Sequence, residues 1–262
     1  MSEQIIRPGH PLLRQIVEYY WILEGKAEYS SDSALIYPEM CSEIIFNFGE
    51  PTRWVGNGHQ LHLSGSIFSP IRTGYYNIHP QGEVAYLAVR FWPGSIPLLS
   101  IPADQFANRA LALEDVLSIE LRHAFAPLYA MDTMPDRLNY LEKVLSDWVV
   151  RHTLLLPQQL RYAVSLLQQS AGRIPIQNVA EQSGFYARKL ERQFLRYLGV
   201  SPKTCARILR FNSTMNQIMG QPGVGTTDAL YRSGYADQAH FIRECREFTG
   251  RTPGELFRTG TI

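Results

Sequence analysis

The first half of the chain contains several short apolar runs. They are rich in β-branched and aromatic residues, and clusters of Gly, Pro, Asn and Ser separate them. Strands of about four to eight residues bounded by such turn signals are typical of an antiparallel barrel or double sheet. The pattern predicts strands over residues 16–23, 34–37, 43–48, 53–55, 61–68, 72–78 and 84–92.

The last of these runs indicates how its two faces differ. Ala85, Leu87, Val89 and Phe91 alternate with a mixed set of residues that contains Arg90. Side chains alternate between the two faces of a strand, so the first set forms one apolar face. We expect that face to lie in a core, while the opposite face carries a lone arginine.

After Pro93 and Gly94 the spacing of apolar residues becomes helical. It predicts helices over residues 113–128 and 136–155, and Thr133 with Asp136 forms a capping pair before the second helix. That helix carries an apolar stripe at spacings of three and four, which makes it amphipathic. The stripe consists of Leu138, Leu141, Leu145, Trp148 and Leu155. One interpretation is that it packs against the sheet of its own chain.

The sequence pattern over residues 226–258 predicts two helices separated by a turn that contains Gly234. The first helix covers residues 226–233 and begins at a Thr cap, and the second covers residues 237–248. This is the arrangement of a helix-turn-helix, whose second helix enters a DNA major groove. The competing interpretation is an ordinary helical hairpin with a solvated basic face.

The second helix of this unit has separate inner and outer faces. Phe241, Cys245 and Phe248 recur at helical spacing and are expected to face the core. Gln and Arg side chains are suited to bidentate contacts with base edges. The residues on or near the outer face are Gln238, Ala239, His240, Ile242, Arg243 and Arg246.

The same pattern occurs upstream in residues 179–202. Ser183, Gly184 and Phe185 precede their counterparts at 233–235 by 50 positions, and Leu190, Arg192, Gly199 and Pro202 precede theirs by 51. Repetition at this period, with a single-residue offset after the aromatic residue, indicates two copies of one unit. The buried stripe of the first copy is Leu190, Phe194 and Leu198, and the outward or flanking residues are Arg188, Lys189, Glu191, Arg192 and Arg196.

A helix predicted over residues 203–219 joins the two copies. At 1.5 Å per residue it would be about 25 Å long. Such a rod is suited to hold two helix-turn-helix units on successive major-groove faces, which lie roughly 34 Å apart.

The distribution of charge differs between the two halves of the chain. Residues 1–156 contain 11 basic and 17 acidic residues, a net charge of −6, whereas residues 157–262 contain 14 and 7, a net charge of +7. A basic half joined to an acidic half is typical of a DNA-binding module attached to another domain. We therefore predict domains over residues 1–156 and 157–262.

The C-terminal half resembles the AraC/XylS family of bacterial transcription regulators. The resemblance rests on Gly234 and Tyr235, on the run 238–246, on the run 250–253, and on the matching first unit. It implies contacts with base edges of double-stranded DNA by Arg188, Glu191, Arg192, Gln238, Ala239, His240, Ile242 and Arg243. At Cys245 the family more often has an aromatic residue. We expect Lys203, Arg207 and Arg246 to contact phosphates, which adds affinity without sequence preference.

The N-terminal half resembles the cupin-like domain found in a subset of the same family. The resemblance rests on Tyr20 and Trp21, on the runs 38–41 and 44–49, and on the run 91–94. It implies a domain that senses a small-molecule effector or forms a homodimer, and in the second case the stripe over 138–155 would be the dimer seam. RNA polymerase is a further partner that such a regulator is expected to have. The expected fold class is α+β, with an antiparallel barrel or cupin-like domain, trailing helices, and an all-α double helix-turn-helix.

Catalytic and metal chemistry have weak signals in this sequence. Cys41, Cys205 and Cys245 are far apart and in no metal-binding spacing, which indicates a reducing cytoplasm. No leader pattern and no run of about 18 apolar residues occurs, so we expect a soluble cytoplasmic protein. His59 and His62 would point to opposite faces, so we expect no metal there or at His79, and no other cofactor. The alternative class is a DNA-binding enzyme, either a cupin-type metal enzyme or an alkylation-repair protein that uses the Cys41 thiol.

Overall fold

The computed structural model describes residues 1–27, 34–56, 58–95, 103–106, 109–151, 156–220, 230 and 233–258. Its strands are β1 (Ser2–Ile6), β2 (Val17–Ala27), β3 (Ala34–Ile36), β4 (Ser42–Asn47), β5 (Thr52–Gly56), β6 (His59–Leu63), β7 (Ile67–Ser69), β8 (Tyr76–His79), β9 (Gly82–Phe91) and β10 (Leu111–Ala112). Its α-helices are α1 (Leu113–Val116), α2 (Ile119–Phe125), α3 (Met134–Arg151), α4 (Gln158–Gln169), α5 (Ile176–Gln182), α6 (Ala187–Leu198), α7 (Pro202–Gly220), α8 (Gln238–Thr249) and α9 (Pro253–Arg258).

The N-terminal strands form two separate antiparallel sheets. The first has the order β1-β2-β9-β4-β7-β10 and the second the order β3-β8-β5-β6. Among the described strands, neither sheet closes on itself, so of the two predicted alternatives, an antiparallel barrel or a double sheet, the structure has the double sheet. The cause lies at residues 64–66, where the predicted strand 61–68 is interrupted and the chain passes from the second sheet to the first. The α+β class itself is confirmed.

The faces of β9 point into different surroundings. Leu87, Val89 and Phe91 are fully buried in a core that the first sheet shares with the helices that follow it. Tyr86 and Arg90 point the other way, into a cavity between the two sheets. The mixed face predicted from the sequence is therefore the wall of a cavity.

The helix predicted over residues 113–128 is broken in the structure. Leu117 has extended backbone, and the Ser118 side chain accepts a hydrogen bond from the backbone N–H of Leu121, so α1 ends and α2 begins there. After α2, a 3-10 turn that contains Pro127 covers Ala126–Ala130. A serine with extended backbone is a typical start of a helix, and this local signal overrides the continuous apolar period.

The apolar stripe of α3 packs on the core of its own chain. Leu141, Leu145 and Trp148 are buried among strand and helix side chains of the N-terminal half. Thr133 and Asp136 form the predicted capping pair, with Thr133 Oγ1 donating to Asp136 at 2.6 Å. Leu155 lies outside the described residues. This packing supports the interpretation of the stripe as core rather than as a dimer seam.

The C-terminal helices form a second core. Its buried residues come mostly from α4 to α9 and include Leu190, Phe194, Phe211 and Phe241, and Met40 and Ile71 of the N-terminal half join them. Residues 221–229 and 231–232, which contain most of the predicted helix 226–233, lie outside the described part of the chain. The joining helix α7 has 19 residues and begins at Pro202, one residue before its predicted start.

Replacing Leu145 with alanine should lower the free energy of unfolding by about 2 to 5 kcal/mol, because it leaves a cavity in a packed core. Val150→Ala on the same helix is the control, since Val150 is 67% exposed, and it should change stability by less than about 0.5 kcal/mol. Urea unfolding followed by circular dichroism measures both. Equal losses of stability for both variants would contradict the placement of the stripe in a packed core.

Candidate nucleic-acid interface

We call the second helix of each helix-turn-helix unit its reading helix. The first reading helix, α6, has a buried face and an exposed face. Leu190, Phe194 and Leu198 are buried as predicted. Of the predicted outward residues, Arg188, Glu191, Arg192 and Arg196 are exposed. Lys189 is half-buried, with its Nζ 5.3 Å from the centre of the Phe185 ring. The exposed face therefore carries three guanidinium groups and one carboxylate.

The second reading helix, α8, begins at a side-chain cap. Asp237 accepts a hydrogen bond from the backbone N–H of His240 at 2.6 Å, which fixes where the helix begins. Phe241, Cys245 and Phe248 are fully buried, as the spacing predicts. The other predicted residues divide into two groups: Gln238, Ala239, Arg243 and Arg246 are exposed, while His240 and Ile242 are half-buried.

Both reading helices end at a glycine in the left-handed region. Gly199 has φ 75° and Gly250 has φ 72°, and each is the C-cap of its helix. A side chain at either position would meet the N-terminal half, because a Cβ on Gly199 would lie 2.8 Å from the Ala103 carbonyl oxygen and one on Gly250 would meet the Tyr75 ring. The N-terminal half therefore touches the C-terminal ends of both reading helices and leaves their exposed N-terminal halves free.

A buried carboxylate holds α8 against α7. Glu244 is 2% exposed and accepts hydrogen bonds from Arg207 Nε at 2.7 Å and from the Tyr235 hydroxyl at 2.6 Å. Burial and the neighbouring Glu244 raise the pKa of the Tyr235 hydroxyl above its usual value, so it stays protonated and donates. The His240 imidazole lies 3.8 Å from the same carboxylate. The network joins the turn, the reading helix and the joining helix.

This network surrounds Arg207, which the sequence predicts to contact DNA phosphates. Its guanidinium also pairs with Glu247 at 2.6 Å and lies over the Phe248 ring. These ion pairs compete with a phosphate for Arg207, and its phosphate contact stays a prediction. Lys203, by contrast, is exposed, and its role as a phosphate contact stays a prediction.

Two of the three histidines considered for metal binding lie on either side of an arginine. In the second sheet, Arg53 on β5 is in register with His62 on one side and with His79 on the other. Desolvation and the positive charge of Arg53 lower the pKa of His79. A permanent cation between two imidazoles opposes the binding of a metal cation. The described residues contain no cluster of three or more ligating side chains.

The Cys41 thiol is poorly placed for alkyl transfer. It is 6% exposed, and desolvation raises its pKa well above the usual value, with a further rise from Glu43. The thiolate is the nucleophile in such reactions, so a thiol held in its protonated form is inert. This geometry gives no support to the alternative of an alkylation-repair enzyme.

The cavity between the two sheets was not predicted from the sequence. Arg90 lies in its wall and binds carboxylates from three elements: Glu18 at 3.1 Å, Glu39 at 2.7 Å and Glu43 at 3.4 Å. These residues are up to 72 positions apart, so no spacing in the sequence brings them together. The only signal was Arg90 itself, a charge inside an otherwise apolar strand.

Tyr37 connects this cavity with the DNA-binding half. Its side chain lines the cavity, and its ring meets the Phe211 ring of α7 edge-on, with the centroids 5.8 Å apart. Phe211 in turn contacts Phe241 and Phe248 of the second reading helix. Tyr37 thus lies between the cavity and the core that supports α8, and Leu35 both lines the cavity and packs against the same core.

Comparisons with known families agree with this geometry. Residues 179–259 match a family described as "Helix-turn-helix domain", and residues 5–112 match a family described as "Domain of unknown function (DUF6597)". A search of curated proteins found no match. None of the helices in the described ranges has the length and apolar character needed to cross a membrane.

Two solved structures share the fold at low sequence identity, and a third is similar to part of the chain. ToxT from Vibrio cholerae is 8% identical, with a TM-score of 0.51 and coverage of 98% of each chain. ToxT bound to (E)-4-(8-methylnaphthalen-1-yl)but-3-enoic acid is 9% identical, with a TM-score of 0.51 and coverage of 98% of this chain and 99% of that one. A probable AraC family transcriptional regulator from Rhodopseudomonas palustris is 24% identical, covering 39% of this chain and 97% of that one with a TM-score of 0.36.

The family match and the two equivalent reading helices define the C-terminal part of the chain as a helix-turn-helix domain. More specifically, it is a domain of the AraC type, which supports a role in DNA-binding transcription regulation. The ToxT-like fold extends over the N-terminal sheets as well.

Glu244→Ala should lower the free energy of unfolding of the C-terminal half by about 3 kcal/mol, because it leaves Arg207 and the Tyr235 hydroxyl without their buried acceptor. Glu247→Ala is the matched control. Its side chain is 53% exposed, and its loss should cost no more than about 1 kcal/mol. Thermal unfolding of the three proteins measures the difference. Equal effects of the two changes would show that the buried network does not stabilise α8.

Proposed function

We propose that the chain is a sequence-specific regulator whose two reading helices, α6 and α8, enter adjacent major grooves of one duplex. The observation that carries the proposal is that both helices leave equivalent N-terminal halves exposed while the 19-residue helix α7 joins their units. At 1.5 Å per residue α7 is about 28 Å long, close to the roughly 34 Å between successive major-groove faces. Because the chromosomal DNA of a bacterium lies in the cytoplasm, we propose that the regulator is cytoplasmic.

The exposed residues on the two helices suit direct reading of bases. Arg188 and Arg192 on α6 can each bind guanine, and Glu191 can accept from cytosine. On α8, Gln238 can bind adenine through both the oxygen and the nitrogen of its side-chain amide, and Arg243 can bind guanine. Ala239, His240 and Ile242 are proposed to contact the same groove through apolar and ring surfaces, while Lys189, Arg196 and Arg246 flank it.

We further propose that residues 1–156 form the regulatory domain and residues 157–262 the DNA-binding domain. The cavity between the sheets is the proposed effector site, because Tyr37 links its wall to Phe211 of α7. ToxT, which has the same fold, has been solved with a small organic acid. A homodimer or a contact with RNA polymerase would have to use surfaces other than the α3 stripe, since that stripe lies in the core.

Gln238→Ala should weaken binding to the specific site by about 1 to 3 kcal/mol and relax the preference at one base pair, because a bidentate contact with adenine is lost. Gln168→Ala is the control, since Gln168 is exposed on α4 and belongs to neither reading helix. Selection of binding sites from random DNA, followed by titration of the selected site and a scrambled one, measures both effects. An equal loss on the two DNAs would rule out base reading by Gln238.

Affinity for DNA should fall with salt by about 0.9 log unit per log unit of salt for each phosphate that the protein neutralises. Lys203→Ala should reduce that slope by about 0.9 and leave the base preference unchanged, because a phosphate contact carries no sequence information. Titrations of one site at several salt concentrations give the slope. An unchanged slope would remove Lys203 from the phosphate contacts, and a flat dependence for the unchanged chain would contradict the whole electrostatic account.

A further inference from the structure

The two reading helices begin in different ways. At α8 the N-cap is Asp237, whose carboxylate accepts a hydrogen bond from the backbone N–H of His240. At α6 the N-cap is Tyr186, which stands 51 positions before Asp237 in the repeat and makes no side-chain cap hydrogen bond. Serine, threonine, asparagine and aspartate are strongly preferred at an N-cap, because their side chains satisfy a free backbone N–H. A tyrosine at this position therefore does not serve the stability of α6.

The side chain of Tyr186 lies mostly in solvent. It is 64% exposed, more than any other aromatic side chain in the described ranges. Its backbone, by contrast, is fixed, because the Tyr186 carbonyl oxygen accepts hydrogen bonds from the backbone N–H groups of Lys189 at 2.9 Å and Leu190 at 3.0 Å. Aromatic surface that remains in water forgoes the free energy that its burial would release. The ring is thus an exposed apolar group at a fixed position of the reading helix.

The residues that follow Tyr186 are those proposed to enter the major groove. Arg188 and Arg192 are exposed on α6. The first turn of the helix contains no acidic residue, so no carboxylate in that turn opposes the approach of the DNA backbone. In helix-turn-helix proteins the N-terminal residues of the second helix contact base edges. If α6 enters the groove in this way, the Tyr186 ring comes into reach of the bases.

We propose that Tyr186 reads a thymine by packing its ring against the 5-methyl group in the major groove. Thymine presents a methyl group there, and apolar side chains recognise it by direct contact. The same contact would cover aromatic surface that α6 leaves in water. The inference rests on the proposed reading of DNA, and it deepens that proposal by adding a specificity-determining residue and naming its base.

Replacement of thymine by uracil removes only this methyl group and therefore tests the contact. A binding site is first selected from random DNA with the full chain, and each of its thymines is then replaced singly by uracil. At one position the replacement should weaken binding of the unchanged chain by about threefold or more, because the burial of one methyl group is lost. In Tyr186→Ser the same replacement should have no effect, since the ring is absent. A site at which no replacement weakens binding, or responses that are the same in the variant at every position, overturns the proposal.

Variants separate the ring from the helix and from the hydroxyl group. Tyr186→Ser should weaken binding to the selected site by about three- to tenfold, while its melting temperature should not fall, because serine is a preferred N-cap. Tyr186→Phe keeps the ring and should bind like the unchanged chain. Tyr162→Ser is the control, since Tyr162 is exposed on α4 and belongs to neither reading helix; it should change neither the affinity nor the response to uracil. A loss in Tyr186→Phe as large as that in Tyr186→Ser would assign the effect to the hydroxyl group and overturn the proposal.

The same experiments separate this inference from the proposed function. A selected site whose responses to uracil are equal for the unchanged chain and Tyr186→Ser overturns the inference and leaves the proposed reading of DNA standing. Failure of the unchanged chain to select any site from random DNA overturns the proposed function, and the inference with it.

Discussion

The packing around Phe211 holds the parts of this molecule together. Phe211 is fully buried on α7 and contacts Phe241 and Phe248 of the second reading helix, while Tyr37 of the N-terminal half meets it from the other side. Interiors of proteins are close-packed, so a shift at one of these rings must be accommodated by the others. The orientation of α8 therefore depends on a cluster to which both halves of the chain contribute.

The contacts at the two C-cap glycines add a second constraint of the same kind. Gly199 and Gly250 occupy equivalent positions in the two repeats, and both abut the N-terminal half. The N-terminal half therefore contacts the C-terminal ends of both reading helices. A ligand can shift such an arrangement only by as much as its affinities for the alternative states differ. The direct route for such an effect runs from the cavity wall through Tyr37 to Phe211.

The features that follow from a local period could be predicted from the sequence. The buried and exposed faces of α6 and α8 follow from apolar residues at helical spacing, such as Leu190 with Phe194 and Phe241 with Cys245. The presence of two helix-turn-helix units follows from the internal repeat. The predicted helix over 113–128 failed because its apolar period continues across Ser118, where the side-chain cap begins a new helix. Strand β1 was missed because its side chains are mostly exposed and show no apolar alternation.

The cavity and its chemistry could not be predicted from the sequence, for a different reason. Arg90 and its three glutamates come from separate strands and loops, and only the pairing of those strands brings them together. The same holds for Arg207, whose ion pairs with Glu244 and Glu247 join residues about 40 positions apart that only the packing of α7 against α8 brings together.

Footprinting of the full chain on its selected DNA site tests the central claim most directly. Hydroxyl-radical cleavage should show two protected patches on one face of the duplex, separated by about one helical turn of 10 to 10.5 base pairs, because α7 holds two reading helices side by side. Removal of the exposed cations of α6 by Arg188→Ala with Arg192→Ala should abolish one patch and weaken the other. A single patch for the unchanged chain, or two patches on opposite faces, would contradict the account.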